Sequence, residues 1–466
     1  MNAAHTLGFR LVLATLFGGC LLGLLHAASV LPLHVPLDPN EGWNAYFAQT
    51  AIATGSPYPP KDSFLVNNYP PLSFFLIGGL ARLFGDAIIV GRAVSFLAFC
   101  VVALGIGKAA RSAGCSTEHA AFASLIFVAC LLLTSDYVGM DDPQLLGHAI
   151  AIGGMLVALR ASRSSRDMVI SALLLTVAFF VKHNLILLPA ALTTWLLLVD
   201  RRHAGTFILS GAIFLLIGLG LFRDAFGTPF FQQIDSARLY TFDNVRVAAL
   251  NWLPWAAIPV TGALLLLVVG RKDQLAVFAV IYSVFATVGG LMLSGGTGVD
   301  ANALFDADIA LSLCAGLLLD RFENGNWPTL AALFYAVPLA FLLRQVDGNW
   351  RDSAYWLRPM SDDARISSTE ISLLRTKPDP VLCEMLSLCY WAAKAPQVDV
   401  FNTDQRLRTG TQGSAELVRM IDQKRFSFIQ LETLKPFPLP PAVEVAVMRN
   451  YRVVRVDNDR AFLGPR

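Results

Sequence analysis

Long apolar runs constrain this chain more than any other feature. A spanning helix needs about 20 mostly apolar residues, with a range of roughly 17 to 25. Eleven runs qualify or nearly so: 8–31, 88–107, 119–135, 143–160, 167–183, 185–199, 205–222, 253–270, 274–293, 303–320 and 327–343. A chain of 466 residues would hold about three soluble domains at roughly 150 residues each. Its composition argues otherwise: 55% is hydrophobic and only 15% charged, against about 25% charged in a soluble domain. A soluble enzyme, a disordered protein and a disulfide-built secreted module are excluded. The net charge is only +2 and the basic residues are scattered, which argues against a nucleic-acid partner. The reading is a polytopic α-helical membrane protein.

The first run ends near Ala27-Ala28-Ser29, which resembles a cleavage site. An uncleaved helix is preferred, because many helices follow. Segment 70–85 is apolar but short, and the positive-inside rule decides its place. If it lies at the interface, Arg10, Lys108, Arg111, Arg160, Arg163, Arg166, Arg201, Arg202, Arg271, Lys272 and Arg321 share one side. The opposite connections, 32–87, 135–142, 223–252 and 294–302, carry Asp38, Glu41, Asp62, Asp136, Asp141, Asp142 and Asp300. This predicts an inner-membrane protein of about 11 spans with a cytoplasmic N-terminus.

The chain then divides into a transmembrane part, 1–344, and a polar part, 345–466, which lies outside. Runs 381–384, 398–401, 426–432 and 451–456 read as strands, and 414–424 and 440–450 as helices. These predict a small extracytoplasmic α/β domain. Cys20, Cys100, Cys130 and Cys314 act as small apolar residues. Cys383 and Cys389 either pair or remain thiols. No spacing suggests zinc, no cofactor is called for, and a divalent metal is not indicated.

Carboxylates gather on the outer side. In L-D-P-N-E-G-W-N (37–44), Pro39 breaks the first helix, and 40–54 reads as a short amphipathic helix on the membrane surface. A partly desolvated Asp38 or Glu41 suits a general base; an N-cap from Asp38 or Asn40 explains the same residues. G-M-D-D-P-Q (139–144) sets Asp142 as a cap before Pro143. V-K-H-N (181–184) puts Lys182 near hydrocarbon, where it needs an anionic partner or must snorkel. Loop 223–252, with Arg223, Arg238, Tyr240 and Arg246, suits a lid over an anionic lipid-linked substrate. In 294–306 a Gly-rich stretch leads into a helix, with Asp300 or Asn302 as cap.

Taken together these residues resemble the GT-C superfamily of membrane glycosyltransferases, in the branch of the protein O-mannosyltransferases and the bacterial lipid A aminoarabinose transferase. The resemblance rests on Asp38 to Glu41 with a tyrosine and G-S-P-Y-P after it, on N-Y-P-P-L (68–72) with a downstream F-G and Arg92, on D-D-P (141–143) and on K-H-N (182–184). It covers most of 1–344. It implies a GT-C-like bundle that moves a sugar from a polyprenyl-phosphate donor to a lipid, glycan or protein acceptor, with membrane lipids as surroundings. It implies Asp38, Glu41 and Asp142 as catalytic residues, and Lys182 and Arg92 on the donor phosphate, with Arg238 of loop 223–252 a further candidate for that phosphate. Asn40, Tyr69, Asp141, His183 and Asn302 are the remaining substrate-binding candidates. Where the family commonly shows adjacent Asp-Glu, this chain has Asn40-Glu41, so either Asp38 or Glu41 takes the base role. The rivals are a transporter or flippase of a lipid-linked or anionic solute, which would place ionisable residues at the bilayer midplane, and a membrane-anchored binding protein working through 345–466.

Overall fold

The computed structural model describes residues 3–134, 137–270, 273–324, 360–457 and 459–466. The predicted span 327–343 and the boundary at 344/345 lie outside the described residues. Twelve α-helices occupy the first part: α1 Ala3–Val30, α2 Pro39–Thr54, α3 Leu72–Phe84, α4 Ala87–Ser112, α5 Thr117–Thr134, α6 Gln144–Ala158, α7 Ser165–Val181, α8 Leu187–Val199, α9 Arg201–Ile234, α10 Phe242–Val269, α11 Gln274–Leu293 and α12 Phe305–Asn324.

Five described helices are long and apolar enough to cross a membrane. They are Leu7–Val30, Ala87–Ser112, Arg201–Ile234, Gln274–Leu293 and Ala301–Glu323, with Phe242–Pro254 and Ala256–Val269 a sixth if the 80° bend between them is one broken span. The predicted runs 119–135, 143–160, 167–183 and 185–199 are also helical. Their helices have 13 to 18 residues, or about 20–27 Å at 1.5 Å per residue, so the described helices do not by themselves reach eleven. Segment 70–85 forms the 13-residue α3, short of the roughly 30 Å hydrocarbon core.

Burial follows from the apolar faces, with a few polar residues taken in. Helix α12 sits inside, with Ala307, Ala310, Cys314, Leu317 and Leu318 at 0% exposure, between α5, α10 and α11. Helix α4 packs on α5 and α6, α6 on α7, and α7 on α9. Outer faces keep Leu7, Leu22, Leu104, Leu198, Leu209 and Leu216 exposed, which in water would cost apolar free energy and in lipid does not.

The C-terminal unit holds α13 Ser361–Arg375, β1 Val381–Cys383, α14 Leu386–Trp391, α15 Val400–Arg408, α16 Ala415–Asp422, β2 Phe428–Leu431, α17 Pro441–Asn450, β3 Tyr451–Asp457 and β4 Arg460–Pro465. The sheet order is β1-β2-β4-β3, with β1 and β2 parallel and the other pairs antiparallel. Cys383 and Cys389 form a disulfide. Three of the four predicted strands are present. The fourth, 398–401, is not: Asp399 accepts from the Asn402 amide and starts α15 instead.

Two further expectations change. Helix α2 does not lie open on a surface. Glu41 to Ala48 are buried between α3 and α14, and a Cβ on Gly42 would stand 2.1 Å from the Ser387 nitrogen, so only glycine permits this crossing. Segment 223–252 is not a long lid loop either. Helix α9 continues past a break at Gly227 to Ile234, and α10 begins at Phe242. Only 235–241 is left as the connection.

Candidate active site

The first acidic motif folds around one buried ion pair. Glu41 and Arg92 are both 0% exposed. Arg92 gives Nε to Glu41 Oε1 and Nη2 to Oε2, each at 2.6 Å. Its other three N–H groups reach the carbonyls of Val30 (3.4 Å), Leu33 (2.7 Å) and Val35 (2.6 Å). A guanidinium has five N–H donors, and all five are used. Glu41 also accepts from the Leu37 amide (3.0 Å) and the Asp141 amide (3.2 Å). The pair ties the end of α1, the turn before α2, helix α4 and the 137–143 connection together. Neither residue lines the large cavity described below. The expectation of Arg92 on a donor phosphate has no free donor to support it, and Glu41 has no free oxygen with which to take a proton.

Asp142 is likewise committed. Lys182 Nζ lies 3.2 and 3.0 Å from its two oxygens, and Oδ1 accepts from the Gln144 amide at 2.7 Å; the N-cap of α6 is Pro143 rather than the expected Asp142, because the helix begins one residue later, at Gln144. Lys182 also stands 3.7 Å over the Tyr69 ring, a cation–π contact. Asp141 points away, into a void of about 10 Å³ beside Ser73. Its Oδ2 and the Ser73 hydroxyl have no partner. Burial, then the Glu41 and Asp142 carboxylates, push its carboxyl well above the ordinary range, so it is held neutral.

A cavity of about 270 Å³ opens where these elements meet the C-terminal unit. That is near the lower end of the usual ligand-pocket range of about 300–1,000 Å³. Six sequence-predicted residues line it: Asn40, Tyr69, Lys182, His183, Arg238 and Asn302. Arg238, from the 235–241 connection, makes no ion pair or hydrogen bond among the described residues; its guanidinium carbon stands 5.6 Å from the Phe401 ring. His183 keeps a buried, unpartnered Nδ1. Sequence reasoning missed Trp43, Tyr137, Phe401 and Asn402 on the same wall. Trp43 was visible in the 37–44 motif. Phe401 and Asn402 were hidden by the misread strand. A second cavity of about 440 Å³, lined by α10 and the 294–304 segment, shares Gly298 and Val299 with the first.

Asp38 caps α2, its Oδ1 accepting from the Asn40 amide at 2.7 Å. Burial raises its carboxyl to about 6; the Asn40 bond opposes this, and Asp142, Glu41 and Asp300 add to it. Of the three acids expected to act, Asp38 alone has no ion pair among the described residues.

Comparison with known proteins bears on this geometry. Residues 68–222 match the family model of dolichyl-phosphate-mannose-protein mannosyltransferases, a stretch that holds Tyr69, Arg92, Asp141, Asp142, Lys182 and His183. No curated protein matches by sequence. Two crystal structures of ArnT from Cupriavidus metallidurans are similar in fold. The form bound to undecaprenyl phosphate has a TM-score of 0.59 at 14% identity, covering 99% of this chain and 98% of that one. The apo form has a TM-score of 0.58 at 15% identity with the same coverage. The chain therefore shares the fold of the ArnT structures, and within it residues 68–222 match the mannosyltransferase family model, in keeping with the superfamily that its motifs resemble.

Proposed function

We propose that the protein is a membrane glycosyltransferase that takes a sugar from a polyprenyl-phosphate carrier and passes it to an acceptor hydroxyl or amine at the external face. The observation that carries this reading is the juxtaposition in one cavity of an uncommitted cation, Arg238, and a second cation, Lys182, next to a helix capped by a carboxyl poised at about 6.

The chemistry follows. Asp38 takes the acceptor proton as the acceptor oxygen or nitrogen bonds to the anomeric carbon. The bond from that carbon to the phosphate oxygen breaks, and its electron pair leaves with the polyprenyl phosphate. Arg238 and Lys182 are placed to stabilise the charge growing there. The Glu41–Arg92 pair acts indirectly, by fixing the turn that presents Asp38. The carrier tail stays among apolar helix faces, as undecaprenyl phosphate would require.

A transporter would need ionisable groups at the bundle midplane. The buried acids of α12 instead lie towards its ends, Asp306 and Asp308 in the first turn and Asp320 near the last, and Asp308 lines the second cavity. The test uses purified protein in lipid with a panel of polyprenyl-phosphate sugars, following free polyprenyl phosphate by mass spectrometry. Release from one donor, lost in Asp38→Asn, is the expected result. Release that persists unchanged in Asp38→Asn overturns the assignment of the base, and release from no donor overturns the reaction.

A further inference from the structure

We infer that Phe401 and Asn402, at the start of α15, form the sugar-facing wall of the candidate site, and that Phe401 determines which sugar is accepted. This rests on the glycosyl-transfer reading above and assigns the C-terminal unit a part in it.

The first observation is an aromatic ring left uncovered inside a polar cavity. Phe401 is 39% exposed, whereas its neighbours Val400 and Thr403 are 3% and 0% exposed. Covering a phenylalanine is favourable in water, so a helix with buried neighbours has no folding reason to present it. The ring is nevertheless held. Its tip abuts Gly298, where φ is +72° and a Cβ would stand 2.1 Å from Cζ.

The second observation is that α15 is clamped to both halves of the site. Asp399, which caps it, accepts from Trp43 Nε1 at 3.0 Å. Thr403 donates to the Phe64 carbonyl at 3.1 Å. Gln405 accepts from the Leu239 amide at 3.2 Å, next to Arg238. Arg406 donates to Gln233 Oε1 at 3.1 Å and to the Lys61 and Ser63 carbonyls. Phe401 therefore keeps a fixed place relative to the first connection and to Arg238.

Direction completes the argument. The carrier tail must remain in hydrocarbon. With its phosphate at Arg238, the next group along, the sugar, projects away from the helices and towards the C-terminal unit. That unit brings Phe401 and Asn402 to the cavity. A sugar ring has a C–H face that packs on an aromatic face, and hydroxyls at its rim. Asn402 gives its Nδ2 to Asp399 at 2.6 Å, which leaves its Oδ1 to accept from one of those hydroxyls. Stereochemistry at the sugar carbons decides whether a flat C–H face exists, so the Phe401 contact discriminates between sugars.

The experiment uses the full-length protein in lipid nanodiscs, with undecaprenyl phosphate and a panel of undecaprenyl-phosphate-linked sugars as probes. Phe401→Ala should weaken binding of the accepted sugar-bearing lipid about tenfold and raise its KM, with undecaprenyl phosphate alone unchanged. It should also narrow the rate differences between sugars. Phe401→Trp should restore the preference, and Phe401→Leu, which keeps bulk without a π-face, should not. Equal weakening of both lipids, or no change in either, overturns the inference while the wild-type reaction stands. If wild-type protein releases carrier from no donor, the glycosyl-transfer reading fails first and the inference falls with it.

Discussion

Removal of Arg92 should unfold this protein rather than weaken its hold on a phosphate. Arg92→Met deletes five N–H donors at once. It strands the fully buried Glu41 carboxylate with only the Leu37 and Asp141 amides, and leaves the Val30, Leu33 and Val35 carbonyls short of a donor. Breaking a buried pair by removing one partner costs about 3–5 kcal/mol, which is about a 150-fold to 5,000-fold change in the folded fraction. Against a total stability of about 5–15 kcal/mol this is severe. Glu41→Gln should lose a similar amount, since it leaves the guanidinium charge without a counter-ion. The double variant Glu41→Gln/Arg92→Met buries no charge and should be clearly more stable than the sum of the single losses predicts. Thermal unfolding of the four proteins in nanodiscs gives the cycle. An Arg92→Met protein that melts like wild type, yet binds undecaprenyl phosphate more than tenfold more weakly, would refute the structural role and return Arg92 to the donor site.

Four other outcomes follow from the site. Asp38→Asn keeps a good cap but loses the base, so turnover should fall about 10²–10⁴-fold with little change in melting temperature. In wild type, kcat/KM should rise with pH through a midpoint near 6, because the carboxyl must be ionised to accept a proton, and a profile flat from pH 4.5 to 8 would exclude Asp38 as base. Arg238→Ala should raise the KM for the donor at least tenfold while leaving stability within about 0.5 kcal/mol, since the side chain has no ion pair to lose. Asp141 is protonated in the fold and ionises first in the unfolded chain, so its contribution is whole below the unfolded value of about 3.9 and is lost as pH rises. Asp141→Asn should therefore match wild type in melting temperature at pH 4 and exceed it at pH 8.

The parts legible in the sequence were those fixed by local physics. Apolar runs declared the helices because a spanning helix satisfies its backbone within itself. Asp38 read as a cap because the bond it makes lies two residues away. Arg238 and Asn302 read as ligand candidates because polar side chains in a mostly apolar chain need a purpose. Roles set by distant partners were not legible. Glu41, read as a possible base, and Arg92, read as a donor-phosphate ligand, are 51 residues apart, and their pairing was not visible in either motif. Lys182 looked free for a phosphate, whereas Asp142, 40 residues away, already occupies it. Phe401 was lost for a different reason: V-D-V-F alternates like a strand, but the Asp399 cap bonds outweigh a four-residue pattern.

The pairing of acids and bases leaves one carboxylate for the proposed chemistry. Glu41 and Asp142 lie close enough to Asp38 and Asp141 to raise the proton affinity of both. Four buried negative charges with two cations cannot all persist. Arg92 neutralises Glu41, Lys182 neutralises Asp142, and Asp141, enclosed with no cation of its own, keeps its proton. Asp38 is the remaining member. It is less enclosed than Asp141 and is tuned to about 6, where it is mostly ionised at neutral pH yet basic enough to accept a proton. The committed neighbours thus set the basicity of the uncommitted one. Replacing Lys182 by Met should free Asp142 as a second unpaired acid and, by repulsion, move the kcat/KM midpoint of Asp38 upward; a midpoint that stays at its wild-type value would show that the two carboxylates are not electrostatically coupled.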